Sequence, residues 1–269
     1  MTNTISAAAN PALVNQAVKE AMTEKPIIAD PEITSPSDNM VTLPGGYITA
    51  TGEVIMTAEV RELTGKDEEA ISKTNHVGKA LMTILQRGTV RVGDLPANEQ
   101  IFDRMLSGDR DMLLVAIFRA TFGNDADISA YCSSCVEAKT VTLDIDKDIP
   151  VKRLVDPVND RLFTVKSKNH EYTVQLPTGV VQKELITNVD KTSAELNSLV
   201  LKGTLVQIDG APVISNSQVQ NIGLVDRRTI LEEINKRVAG PQFDNLVVVC
   251  PDCESEVTVP INLGTLFRF

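Results

Sequence analysis

The chain has no tryptophan, only two histidines, and aromatic residues at 4 % of its 269 positions. Base-stacking platforms for single-stranded nucleic acid are therefore poorly supplied. A positive excess is also lacking: 26 lysines and arginines stand against 36 acidic residues, a formal charge of −10, and the basic residues occur singly or in twos. A surface of that sign repels phosphate backbones and anionic lipid, so neither nucleic acid nor a membrane is expected as a partner. No apolar run approaches the roughly 18 residues needed to cross a bilayer, and the first residues carry neither a basic n-region nor a continuous h-region. These absences predict a protein made and kept in the cytosol.

Catalytic groups are equally scarce. His76 and His170 have no metal-ligand or triad spacing and no Gly-x-Ser-x-Gly elbow accompanies them, so each reads as a surface or turn residue. Asp67-Glu68-Glu69 could be drawn as acid/base machinery. At the first turn of a helix it is better explained by the positive end of the dipole, with Thr64 and Asp67 in capping-box spacing. Pro44-Gly45-Gly46 is a turn rather than a phosphate loop, since no Gly-Lys-Ser/Thr follows. No catalytic residue, organic cofactor or small-molecule substrate is expected.

What is present is a duplication. Leu85-Gln86-Arg87-Gly88-Thr89-Val90-Arg91-Val92 is echoed by Leu201-Lys202-Gly203-Thr204-Leu205-Val206-Gln207-Ile208, pairing Gly88 with Gly203. Asp109-Arg110 is answered by Asp226-Arg227, each at a helix start, where paired buried or interface contacts compete with the simpler reading of solvated helix starts. Cys132-Ser133-Ser134-Cys135 is answered by Cys250-Pro251-Asp252-Cys253. All three landmarks keep their order, and two copies are too few for a solenoid. The expected fold is therefore α+β, with two pseudo-twofold related lobes, each holding a β-hairpin, two helices and a zinc-knuckle hairpin.

Residues 1–39, rich in small and polar residues and four prolines, form an arm with one helix candidate at 11–22; it is either a disordered tail or an extension that orders on a neighbouring subunit. The first lobe, residues 40–150, is expected to run strand pair, helix after Thr64, strand Thr89–Val92, helix 101–122, with a break near Gly108 as the alternative, and a hairpin around the first cysteines. The second lobe, residues 151–269, repeats the plan with a hairpin at 161–176, helices at 178–201 and 217–238, and β segments flanking the second cysteines.

Cys132, Cys135, Cys250 and Cys253 are the candidate ligands of one structural Zn2+. Each Cys-x-x-Cys turn offers two sulfurs, and four leave no open coordination position. The distance between the pairs exceeds that of an ordinary zinc ribbon, but equivalent hairpins can meet on a pseudo-twofold axis. Local disulfides, a redox dithiol and unoccupied vestigial knuckles are the other readings. The redox one is weakened because these turns lie between β segments rather than opening a helix.

Leu63-Thr64-Gly65-Lys66-Asp67-Glu68-Glu69 after a β-rich opening, an Arg119-containing helix ending in Phe122-Gly123, and a knuckle followed by Thr140-Val141-Thr142-Leu143-Asp144-Ile145 resemble the T-even-type phage baseplate hub and hub-assembly family. The resemblance covers residues 41–145, with a more divergent echo from 176 onward. It rests on Thr64, Asp67, Arg119, Cys132 and Cys135, with Pro251 and Cys253 giving the Cys-Pro-x-Cys form in the second half; the departure is that second complete knuckle. It implies a structural subunit of the tail baseplate, in hub or wedge region, present in multiple copies among other tail proteins. Such a protein resides in the virion, and in the host cytoplasm during assembly. A tail-assembly chaperone absent from the mature virion and a zinc-ribbon regulator of nucleic acid or polymerase are the alternatives.

Overall fold

The computed structural model describes residues 39–243 and 246–267. The expected helix at 11–22 and nearly all of the arm lie outside the described residues.

The chain traverses one plan twice. The first pass runs β1 (Met40–Ile48), β2 (Val54–Val60), α1 (Gly65–Ile71), α2 (Val77–Gly88), β3 (Thr89–Val92), β4 (Leu95–Pro96), α3 (Glu99–Arg104), α4 (Ser107–Phe122), β5 (Asp125–Cys132), β6 (Glu137–Asp144) and the single turn α5 (Ile145–Asp148). A short β7 (Val151–Lys152) and a 3-10 turn at Asn159–Arg161 lead into the second pass. This runs β8 (Leu162–Lys166), β9 (Glu171–Gln175), α6 (Gly179–Thr187), α7 (Ser193–Thr204), β10 (Leu205–Ile208), β11 (Ala211–Pro212), α8 (Asn216–Gln220) and α9 (Leu224–Arg237). After β12 (Gly240–Pro241) come β13 (Val247–Val249), β14 (Glu256–Thr258) and the single turn α10 (Leu263–Leu266). The class is α+β, as expected. Strands β1 to β4 form one antiparallel sheet in sequence order, β8 to β11 a second, and the cysteine hairpins are separate two-stranded sheets.

Local chemistry accounts for most element boundaries. Thr192 and Glu195 close a capping box before α7, and Ser215 with Gln218 does so before α8, each satisfying otherwise orphan amides. Gly123, at φ 91°, ends α4 where a side chain would be strained. Pro44-Gly45-Gly46 is not a turn, however. It is an irregularity inside β1, where the register against β2 shifts between Thr42 and Tyr47, and Gly46 takes φ 75° there.

Each of the four long helices expected in the two lobes is two, the one at 101–122 dividing near Gly108. The break between α3 and α4 is tertiary in origin: Leu106 bridges Thr178 as in a sheet, and the Ser107 amide donates to the Pro177 carbonyl at 2.9 Å. The pairing of Gly88 with Gly203, however, does not hold. The amides of Thr89 and Leu205 cap their helices on Leu85 and Leu201, so Thr204, fully buried, stands opposite Gly88 in place of Gly203.

Three apolar clusters form the core. One underlies β1 to β3, and one underlies β8 to β10. The third gathers both cysteine hairpins with Val115 and Phe118 of α4 and Leu266 of α10. Helix α4 serves two clusters at once, since Leu113, Ala116 and Ile117 face the first sheet; it is therefore buried nearly all round. Phe267 also closes on the protein's own core, packing edge-on to Phe118 at 5.5 Å.

Candidate metal centre

Strand β5 alternates buried and exposed positions along its whole length and ends on Cys132, which is thereby turned inward. Both cysteine turns then fold identically. The Val136 amide donates to the Cys132 carbonyl at 2.9 Å, and the Glu254 amide to the Cys250 carbonyl at 3.0 Å. Val136 and Glu254, each following the second cysteine of its pair, adopt φ 59° and 58°. A valine in the left-handed region is strained, and its counterpart in the same conformation shows that the turn, not the side chain, sets the geometry. The Cys135 amide points at the Cys132 sulfur, 3.5 Å away.

These turns bring all four sulfurs within 4.8 Å of one another. Cys132 lies 3.6 Å from Cys253, and Cys135 lies 3.9 Å from Cys250, so each pair takes one partner from either half. Sulfurs bound at about 2.3 Å to a tetrahedral ion are about 3.8 Å apart, whereas a disulfide requires about 2.05 Å. The four are free thiols at ligand spacing, and the cluster could hold a metal ion. Cys132 and Cys250 are buried, while Cys253 is exposed. Hydrogen bonds from the Ser255 hydroxyl and amide pull the Cys253 thiol down to about 6, toward the thiolate that ligates metal; hydrogen bonding to Cys253 pushes Cys135 up to about 12. Beside the sulfurs, Lys139 ion-pairs with Glu137 of its own hairpin and with Asp252 of the other, and hydrogen bonding to Asp252 raises its pKa.

The remaining candidates are not assembled with this centre. His76 is exposed ahead of α2. His170 sits in the β8–β9 turn, its Nδ1 2.7 Å from Asp209, and that hydrogen bond raises its pKa. Asp67 accepts from the Thr64 amide and hydroxyl, both at 2.9 Å, as the spacing predicted. It is also buried, with Arg61 at 2.8 Å and Arg87 at 3.1 Å, which spacing did not reveal. Burial opposes its ionisation, but the hydrogen bonds from Arg61, Thr64 and Arg87 prevail and hold it well below the usual carboxylate range. Arg119 pairs with Asp146 at 2.8 Å.

Asp109-Arg110 overturns the reading of solvated helix starts, because both side chains are buried. Asp109 accepts from the Gly45 amide at 2.6 Å, clasping the β1 irregularity, and Arg110 donates to the Gly179 carbonyl at 2.9 Å in the other half. Their counterparts stay closer to home: Asp226 accepts from the Tyr172 hydroxyl at 2.7 Å, and Arg227 donates to the Val219 carbonyl at 3.1 Å.

The family model described as T4 bacteriophage base plate protein matches residues 48–220, well over half of the chain. The chain belongs to this family. The match to the base plate protein family spans β2 to β4 of the first sheet, the whole of the second four-stranded sheet and the first cysteine pair, and ends before the second pair. No curated protein and no solved structure matches the chain. Membership implies other base plate proteins as partners and the virion tail as the location.

Proposed function

We propose that this base plate protein is a non-enzymatic structural subunit of the hub or wedge region, built as two duplicated lobes, residues 40–150 and 151–269, and clamped by one zinc ion. Cys132, Cys135, Cys250 and Cys253 would hold the ion. The observation that carries this reading is the symmetric sharing of sulfurs between the halves. Bound there, zinc supplies a cross-link and no reaction, because four thiolates fill its coordination shell. The protein's own residues do the rest. The inward-facing positions of β5 and β14 pack beneath the sulfurs, and Lys139 ties the two hairpins from outside.

In this role the protein acts by presenting surfaces to its neighbours during assembly in the host cytoplasm and remains in the tail. Two measurements test the reading together. Mass spectrometry of purified virions is expected to find its peptides, and their absence would assign it instead to an assembly chaperone that leaves before maturation. Metal analysis of the purified protein is expected to give one zinc per chain.

A further inference from the structure

The halves of the chain touch in two ways. At the cysteines the contact is symmetric, as described above. Elsewhere it is one-sided: the α3–α4 junction receives the segment leading into α6. There the Gly179 amide donates to the Met105 carbonyl and the Ser107 amide to the Pro177 carbonyl, both at 2.9 Å. Gly108 lies so close to the chain before β12 that a Cβ would overlap the Ala239 carbonyl.

Among the described residues the counterpart of this contact is not made. Counting from the helix starts, Leu224 and Val225 stand where Ser107 and Gly108 stand, yet they are 76 % and 71 % exposed. Gly65 stands where Gly179 does, and a Cβ there meets no atom of the described residues within 4 Å, whereas one at Gly179 would overlap the Phe102 carbonyl. Gly123 and Gly240 are equivalent and both left-handed, at φ 91° and 137°, so Phe122, 61 % exposed, stands where Ala239 does. The Leu63 amide donates to the Thr121 hydroxyl at 3.1 Å, which joins the start of α1 and the end of α4 into one surface.

The two open faces complement each other. Inside the chain Gln182 donates to Asp111 at 3.1 Å. The equivalent positions are Glu68 and Arg228, an acid on one face and a guanidinium on the other, both exposed and neither in an ion pair among the described residues. Leu224 and Val225 would correspondingly meet Phe122. We infer that copies of this chain associate head to tail, the α8–α9 junction of one seating on the α1 start and α4 end of the next. The contact that joins the halves is thereby repeated between chains. Such an interface is heterologous, so it extends to a ring or filament and does not stop at a dimer.

Sedimentation velocity of the full chain over a range of concentrations tests this. Wild type is expected to form species beyond the dimer that grow with concentration. The double substitution L224E/V225E removes one face and Gly65→Trp blocks the other; each variant should be monomeric, with thermal melting unchanged. Mixed in equal amounts, they should form a heterodimer and nothing larger, because each keeps one competent face. Glu68→Arg and Arg228→Glu should each weaken association roughly tenfold, and the two together in one chain should restore it. A wild type that is monomeric at every soluble concentration, oligomers that persist in both blocked variants, or folded variants that fail to pair when mixed would overturn the inference.

Discussion

The sulfurs of Cys132 and Cys253 lie 3.6 Å apart although 121 positions of chain separate them. Cys135 and Cys250 repeat the relationship at 3.9 Å, so the centre exists only when both halves are folded and joined. A metal bound there contributes to folding directly, because the unfolded chain offers no preformed site.

Substituting either pair should therefore abolish stoichiometric zinc, not halve it. Plasma mass spectrometry of Cys132→Ser and Cys250→Ser is expected to read near zero where wild type reads one per chain; zero or two in the wild type would contradict a shared site. A chelator should speed hydrogen exchange first in β5, β6, β13 and β14, with the two four-stranded sheets responding later, since the cysteine hairpins form a cluster of their own.

Gly108→Ala should destabilise the fold by about 3 kcal/mol or more. The new methyl would meet backbone atoms of residues 239 and 240, which cannot rotate aside. Gly65→Ala meets nothing and should leave stability unchanged or raise it by about 0.4–1 kcal/mol, through the unfolded chain. Denaturant titration of the two variants compares them. Equal effects would refute the close approach.

Asp67→Ala should cost about 1–3 kcal/mol. The capping contacts and two ion pairs are lost together, but Arg61 and Arg87 are 32 % and 44 % exposed, and solvent screens them. Because its folded pKa is depressed, the contribution is present above the ordinary carboxylate pKa and is lost as pH falls below it. The difference in melting temperature between wild type and Asp67→Ala should accordingly narrow in acid.

Asp109 has the opposite sign. Burial raises its pKa to about 7, against the Gly45 hydrogen bond and the charge of Arg161, and its Oδ2 is buried with no hydrogen-bond partner among the described residues. The folded state holds a proton there that the unfolded state has released, so stability should fall as pH rises from about 4 to about 7, then level off. Asp109→Asn keeps the acceptor for Gly45 and should reduce this slope, the remainder coming from Asp111, whose pKa burial raises to about 6, and should leave the variant the more stable one at pH 8. A melting profile that keeps the wild-type slope would count against a proton at Asp109.

Much of the fold was legible because the features that encode it are local. Turn residues, the Thr64–Asp67 spacing and the alternation leading to Cys132 act over a few positions, and the strand Thr89–Val92 falls where it was expected. The ordered landmarks revealed the duplication for the same reason. What escaped were features imposed from a distance. Gly108 marks a break in the helix at 101–122 but not its cause, which is the bridge from Thr178 to Leu106. Asp109 and Arg110 look like solvated helix-start residues until Gly45 and Gly179 are brought against them. The left-handed Val136 carries no sequence signal, since valine is among the residues least suited to that conformation.

The sequence by itself determined that this protein is α+β, duplicated, acidic and equipped with two equivalent sulfur turns, because spacing and patterning express short-range preferences. Tertiary structure alone decided that the four thiols form one centre and that the helical contact between the halves is one-sided. Both depend on which distant surfaces exclude water together, and a linear pattern does not state that.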